Sequence, residues 1–435
     1  MRAMQTKAAV ADRAGPEFGL DRRRALIAFT FMYQLGQALG GLVLPPFSEL
    51  IGRRTPYLLS TFLFSLSCLV LAAAPSVPAV FTFRFLAGLA SAVPSVVIAG
   101  SVEDIFDTKS RVWIFVLWNT GTTVGLCVGP VYAAYITHSL KWTWVFYSAA
   151  AVTGTLFVAL LGVRESRPSL LFGRKIEALR RTGRVKGGLE WYNTDSSKHA
   201  RTLVELVLIR PMRILLTEPL VIMVAVISAV SWGLIYLFTE ALTPIYLTMG
   251  FSREQASLPF MAIAVGVLFT FLPRFWDMKI VKRKGRAVQP EDKIPGFLLA
   301  LPLLTAGLFA FSVTIPPLVP AVHPLVPTAA LIPVGYAVNE MAYTLSGYLA
   351  DSYLLFSASA FAGLALVRAI VAGLMPLVAL EMYEGLGTNA AGGVLGGVSV
   401  LFWGAGWVFV KKSRGLRERS RFARFSVETE GRTGV

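Results

Sequence analysis

Charge is scarce in this chain. Only 15% of its 435 residues are Asp, Glu, Lys or Arg, against about a quarter in ordinary soluble domains. Cysteine is scarcer: Cys68 and Cys127 are the two, both inside apolar runs, which argues against a disulfide framework or a cysteine metal site. Three dispersed histidines, His138, His199 and His323, make no ligand cluster. No metal and no cofactor are expected. No Asn-x-Ser/Thr sequon occurs to mark an outer face, and the first 24 residues lack the apolar core of a secretory signal peptide. The apolar runs carry no His/Glu pair, no Ser/His arrangement and no paired carboxylates, so an intramembrane enzyme is not expected.

What the chain has is apolar length, with 55% hydrophobic residues. Eleven segments read as membrane spans, at 25–44, 57–74, 80–101, 112–136, 144–163, 219–238, 256–273, 295–313, 324–350, 354–380 and 387–410. A helix needs about 20 apolar residues to cross a hydrocarbon core about 30 Å thick. Of 41 Lys and Arg, 31 fall after the first, third, fifth and seventh spans or in the C-terminal tail. Lys141 and Arg253 alone occupy the alternate gaps, so the rich gaps and the C-terminus are expected to be cytoplasmic. The net charge of +16 thus sits beside the bilayer, where anionic lipid attracts it, and nucleic acid is not an expected partner. An odd span count would put the basic arm 1–24, with Arg22, Arg23 and Arg24, outside. The expectation is that a helix belonging before Ala25 is absent from the sequence.

Five spans precede a polar segment and six follow it. The expected layout is an arm at 1–24, a five-span bundle at 25–163, a cytoplasmic linker at 164–218, a six-span bundle at 219–410 and a basic tail at 411–435. Within the linker, Leu171 to Arg181 and Thr202 to Leu216 suit helices lying on the membrane surface, while Gly183 to His199 reads as a loop. The basic connection after the seventh span, with Lys279, Lys282, Arg283, Lys284 and Arg286, reads as a topology anchor.

A charge inside a span is costly and marks a candidate functional group. Arg84 lies in the third span, Glu340 in the ninth and Arg368 in the tenth, with Glu240 just past the sixth. A carboxylate whose distance to a guanidinium or whose wetting changes binds and releases a proton. No Asp or Glu lies in the first five spans, so a carboxylate partner for Arg84 must come from elsewhere. Gly121, Gly125 and Gly129, followed by Pro130, recur on one face of the fourth span, a spacing that suits close helix packing. Gly392, Gly393, Gly396 and Gly397 in the last span read the same way. In the first gap, Glu49 stands four and five residues before Arg53 and Arg54, with Gly52 allowing a tight turn; the acid is expected to be neutralised by those cations and to latch this face.

These residues resemble the major facilitator superfamily, in its fungal drug:proton antiporter branch. Ser48-Glu49-Leu50-Ile51-Gly52-Arg53-Arg54 is similar to that family's first-loop signature, and Arg84-Phe85-Leu86-Ala87-Gly88 to its Arg-x-x-x-Gly motif, whose Arg is implicated in proton transfer. Gly125-Leu126-Cys127-Val128-Gly129-Pro130 is similar to the motif associated with antiporters. Lys141 to Phe146, Arg210-Pro211, Glu218-Pro219, Tyr348 to Tyr353, and Arg368 with Pro376-Leu377 continue the match, which runs from Gly36 to Ala423. Tyr132, Ala133 and Ala134 stand where Gly-Gly often follows in the antiporter motif, and the family's first helix has no counterpart. The resemblance implies an all-α membrane protein of two helical bundles around a central cavity, here with eleven helices instead of twelve.

The expected function is proton-coupled efflux of small organic molecules, such as drugs, toxins or secondary metabolites, by a monomer in the plasma membrane, with the vacuolar or another internal membrane as the alternative. Proton coupling is expected of Arg84, Glu340, Glu240 and Arg368. A substrate cavity is expected around Gln34, Gln37, Asn119, Trp232, Tyr236 and Tyr343, with aromatic walls and few polar groups. The alternatives are uptake of a nutrient or polyamine, and a homologue that transports nothing.

Overall fold

The computed structural model describes residues 10–106, 108–182, 208–283, 290–319, 322–353 and 356–425. The expected loop from Gly183 to His199 lies outside them, as do Lys284, Arg286 and the last ten residues of the tail. Every described element is helical. In lipid the backbone polar groups must be satisfied within each segment, and only a helix does this without a closed barrel.

The arm holds α1 (Ala11–Glu17) and α2 (Arg22–Leu26), which passes through a π turn (Ile27–Phe31) into α3 (Met32–Ile51). There follow α4 (Arg54–Ala73), α5 (Val77–Ala92), a second π turn (Val93–Val97), α6 (Ile98–Ile105), α7 (Thr108–Ser139) and α8 (Thr143–Leu161). The linker contributes α9 (Pro168–Arg181) and α10 (Arg210–Thr217). The second half comprises α11 (Pro219–Thr248), α12 (Pro259–Leu268), α13 (Phe271–Arg283), α14 (Pro295–Thr314), α15 (Leu325–Tyr353), α16 (Ser357–Leu386) and α17 (Thr388–Arg419). Pro219, Pro259 and Pro295 each open a helix, where a missing N–H costs nothing.

Ten helices among the described residues are long and apolar enough to cross a membrane, and they match ten of the eleven expected spans. The ninth expected span is α15, a 29-residue helix that is not one of the ten and carries Asn339 and Glu340 mid-length. The all-α class and two-bundle architecture are as expected. Large apolar side chains such as Leu59, Val152 and Leu401 lie more than half exposed, as they must where the surrounding solvent is lipid.

Within the first half α3 packs on α5, and α4 on α5 and α8; within the second, α11 packs on α16, α12 on α15, and α14 on α15 and α17. Each half has one crossing at backbone contact. A Cβ on Gly36 or Gly88 would strike the backbone of the facing helix at Phe85 or Tyr33, and one on Gly266 or Gly335 would strike Ile332 or Ile263. Two seams join the halves, α3 against α16 and α7 against α12 and α15. The end of the molecule holding residues 45–54 is the basic end. The arm lies at the other end, where the Trp142 indole donates to Glu17 (2.8 Å) and stacks edge-on with Phe18.

Two sequence expectations are corrected by the packing and a third holds for most of its residues. Among the described residues nothing lies within 4 Å of a Cβ placed on Gly121, Gly125 or Gly129, so that stripe does not serve helix contact. In the last span, Gly392 abuts Ser312 and Gly396 abuts Phe309, but Gly397 meets nothing. In the linker, α10 buries Ile214 and Leu215 against α16 near Gly363 instead of turning them to lipid.

Candidate functional site

A chain of three cavities runs along the interface between the halves. The central one, about 210 Å³, is lined by Gln37 of α3, Asn119 of α7, Trp232 and Tyr236 of α11 and Arg368 of α16. Toward the arm end it shares Tyr33, Gln34, Leu126 and Tyr236 with an outer cavity of about 560 Å³, which Arg84, Gly125, Gly129 and Pro130 also line. The antiporter-type glycines therefore open space for the cavity. Toward the basic end, the central cavity shares Trp118, Asn119, Trp232 and Arg368 with a smaller one of about 130 Å³, lined also by Tyr343 and Asp351. The six side chains expected to line a cavity all line one of the three.

Their partners are mostly neutral. The Gln37 amide donates weakly to Ser91 (3.4 Å) and Ser95 (3.5 Å). Gln34 is 1% exposed and closes no hydrogen bond of ordinary geometry on either amide atom among the described residues. Asn119 belongs to a polar layer across the seam: its amide donates to the Asn339 side-chain oxygen (2.8 Å), Thr123 donates to the same oxygen (2.7 Å), and the Asn339 amide reaches Thr270 (3.0 Å). Asn339 was missed in the sequence; its place beside Glu340 in an apolar span was the available signal.

The four residues expected to couple protons are held in different ways. Arg84 donates from Nε to the Phe29 carbonyl (2.7 Å), with its guanidinium over the Tyr33 ring (4.6 Å). Arg368 lies over the Trp232 ring (4.7 Å). Glu340 is fully buried and ion-paired with Arg274, which also pairs with Asp277 (3.0 Å) and lies under the Tyr343 ring (4.1 Å). Arg274 is the first residue past the expected seventh span, in a gap whose basic residues are expected to be cytoplasmic. The correction is that the seventh span breaks at 269–270 and restarts as α13, which carries Arg274 back inside, to 0% exposure. Gly296 of α14 makes room, since a Cβ there would strike both Glu340 and Arg274. Glu240 pairs with Arg22 of the arm (2.9 Å) at the arm end, where Arg22 also reaches Glu384 (3.5 Å).

At the basic end, the expected pairing of Arg53 and Arg54 with Glu49 falls on a side chain outside the described ones; the described partners of the two arginines are longer-range. Arg53 pairs with Asp104 of α6 (3.0 Å) and donates to Ser48 (2.8 Å). The backbone N–H groups of Arg53 and Arg54 donate to the Glu165 carboxylate (2.8 and 3.2 Å), and the Arg54 guanidinium donates to the Leu161 carbonyl (3.0 Å). Burial works to raise the Glu165 pKa, but the N–H groups of Arg53, Arg167, Arg54 and Ser166 outweigh it and hold the carboxyl below its ordinary value. Gly52 turns the chain at φ +97°.

Comparison with known proteins agrees with this geometry. The model of the Major Facilitator Superfamily matches residues 9–376. A multidrug transporter, TPO1_2 of Candida glabrata, is 30% identical over 92% of this chain and 69% of the relative. The efflux pump radE of Floropilus chiversii is 31% identical over 90% of this chain and 73% of its own length. Among solved structures, the proton:xylose symporter XylE superposes with a TM-score of 0.65 at 16% identity, covering 92% of this chain and 91% of that one. The human organic anion transporter MFSD10 gives 0.58 at 18% identity, covering 91% and 88%. At these identities the two structures speak to the fold alone.

Proposed function

This chain belongs to the Major Facilitator Superfamily, a multi-pass membrane protein, and on that footing we propose that it exports small organic molecules in exchange for protons by alternating access. The observation that carries the reading is the row of cavities between two helical halves, walled by side chains from both. A site shared in this way is remade whenever the halves rock. The kinship with fungal proteins named multidrug transporter and efflux pump supports the outward direction.

Residues 25–163 and 219–410 would act as the two moving bodies, tethered by 164–218, in a monomer of the plasma membrane. Glu340 and Glu240 are assigned the uptake and release of protons, because each is buried against a guanidinium, and for Glu240 that partner, Arg22, comes from the other half. Arg84 and Arg368 supply fixed positive charge at the cavity, and Arg53, Arg54 and Gly52 close the basic end.

Dye retention in cells expressing the chain tests this, with rhodamine 6G, Nile red and fluorescein as probes. At least one dye is expected to leave faster than from control cells, and a protonophore to cancel the difference. Arg84→Ala should abolish the gain with the protein still in the membrane. Efflux that ignores both the protonophore and this substitution would overturn the coupling, and net accumulation of dye would reverse the direction.

A further inference from the structure

Arg84 and Arg368 are both set in apolar helices, where an unneutralised guanidinium costs several kcal/mol. Each is held by neutral groups: Arg84 by a backbone carbonyl and the faces of Tyr33 and Phe146 (4.6 and 5.8 Å), Arg368 by the face of Trp232 (4.7 Å). Ring faces offset part of that cost. No carboxylate is among the described residues lining the central cavity. The outer cavity has Glu254 at its mouth against Arg13, Arg84 and Arg253, and the inner cavity has Asp351. The acids thus stand toward the ends, while Arg368 lines the central cavity and Arg84 the outer cavity that joins it at Tyr33, Gln34 and Tyr236.

A second observation points to a ligand at the same place. Gln34 lines both the outer and the central cavity, is 1% exposed, and closes no hydrogen bond of ordinary geometry on either amide atom among the described residues, although the Tyr236 hydroxyl faces it. A buried amide left so carries a desolvation cost that a ligand would relieve. A carboxylate lodged here can accept from the Gln34 amide and from the guanidinium donors that face the cavity, and an aromatic or aliphatic body fits against Trp232, Trp118 and Leu126.

From this arrangement we propose that the substrate class is the amphiphilic organic anion, a carboxylate head held between Arg84 and Arg368 with an apolar body on the tryptophan wall. The inference rests on the transport reading for its use, though not for its test. Polyamines and other organic cations are disfavoured by the same charges.

The test is binding to the purified full chain in lipid nanodiscs of three pyrene probes that differ in one group: 1-pyrenebutyrate, 1-pyrenebutanol and 1-pyrenebutylamine. Energy transfer from tryptophan reports occupancy, with protein-free nanodiscs as the blank. The acid is expected to bind about ten-fold tighter than the alcohol, the gain of one charge-assisted contact, and the amine more weakly than either. Arg368→Gln should weaken binding of the acid more than that of the alcohol, narrowing the ratio between them. Equal binding of acid and alcohol, or tightest binding by the amine, would overturn the proposal in the unaltered protein, where folding of a variant is not in question. If the acid preference holds but probe-loaded proteoliposomes export nothing under a proton gradient, the export reading fails and the substrate class stands. If they export only the amine, the reverse holds.

Discussion

At Gly52 a single methyl group decides whether the first connection can close. With φ at +97° and ψ at 171°, the residue sits in a region open essentially to glycine alone, costing any other residue about 1–3 kcal/mol. A Cβ there would also run into the Glu165 carboxylate. Gly52→Ala is therefore expected to lower stability by at least that much, measured by thermal unfolding in detergent. Gly121→Ala, whose new methyl meets nothing, should leave the unfolding temperature unchanged or raise it, since alanine favours a helix by up to about 1 kcal/mol. Glu165 sets a pH dependence at the same corner. Its pKa is lower in the folded chain than in the unfolded one, so its contribution is complete above the ordinary carboxylate range and fades as pH falls through the lowered value. Glu165→Gln should flatten the fall in stability on that acid side while leaving neutral-pH membrane insertion intact. The sequence shows Arg53 and Arg54 as a charged cluster in the first connection, because charge spacing is local information. It does not disclose the partners Asp104 and Glu165, since they lie 51 and 112 residues from Arg53.

At the level of elements, apolar length located the membrane helices but not the faces they turn to one another. Arg274 shows the difference. It stands just past the seventh apolar run, where a cation normally marks the membrane edge, yet the break between α12 and α13 turns it into the second half, onto Glu340 and Asp277. The same blindness affected the glycine stripe of α7, whose spacing fits packing and cavity lining equally well. Asn119 was legible as a polar residue in a span, whereas its partner Asn339 required knowing that α7 meets α15. The Arg274–Glu340 pair yields a prediction proper to this scale. Removing one member of a buried ion pair costs about 3–5 kcal/mol, so Glu340→Gln and Arg274→Gln should each destabilise strongly. The double variant should cost less than the sum of the two, because the charge left stranded by each single change is gone. A double-mutant cycle on thermal unfolding measures the coupling, and additive costs would show that α13 and α15 are not joined through this pair.

For the molecule as a whole, the arm end is where the two halves are tied by charge: Arg22 to Glu240 and Glu384, and Arg23 to Glu381 (3.7 Å), with the His138 imidazole 3.8 Å from Glu254 beside them. Arg22 leads directly into α3, and Glu240 lies in α11, so this pair spans the halves at one end while the polar layer of Asn119 and Asn339 spans them nearer the middle. Exposed pairs such as Arg23–Glu381 contribute little, but the Glu240 side chain is 2% exposed, and breaking its pair strands a buried charge. If transport needs the halves to part at this end, a covalent tie beside Arg22–Glu240, across the exposed Arg23–Glu381 pair, must stop it. With Arg23→Cys and Glu381→Cys, a flexible bis-thiosulfonate linker as long as the two lost side chains should arrest dye efflux, and reductant should restore it. Neither single-cysteine variant should respond. Cys68 and Cys127 are both buried, so the native thiols offer the reagent little reaction. Efflux that continues at full rate through a linked protein would mean that the arm end stays shut throughout the cycle, and would move the site of opening away from Glu240.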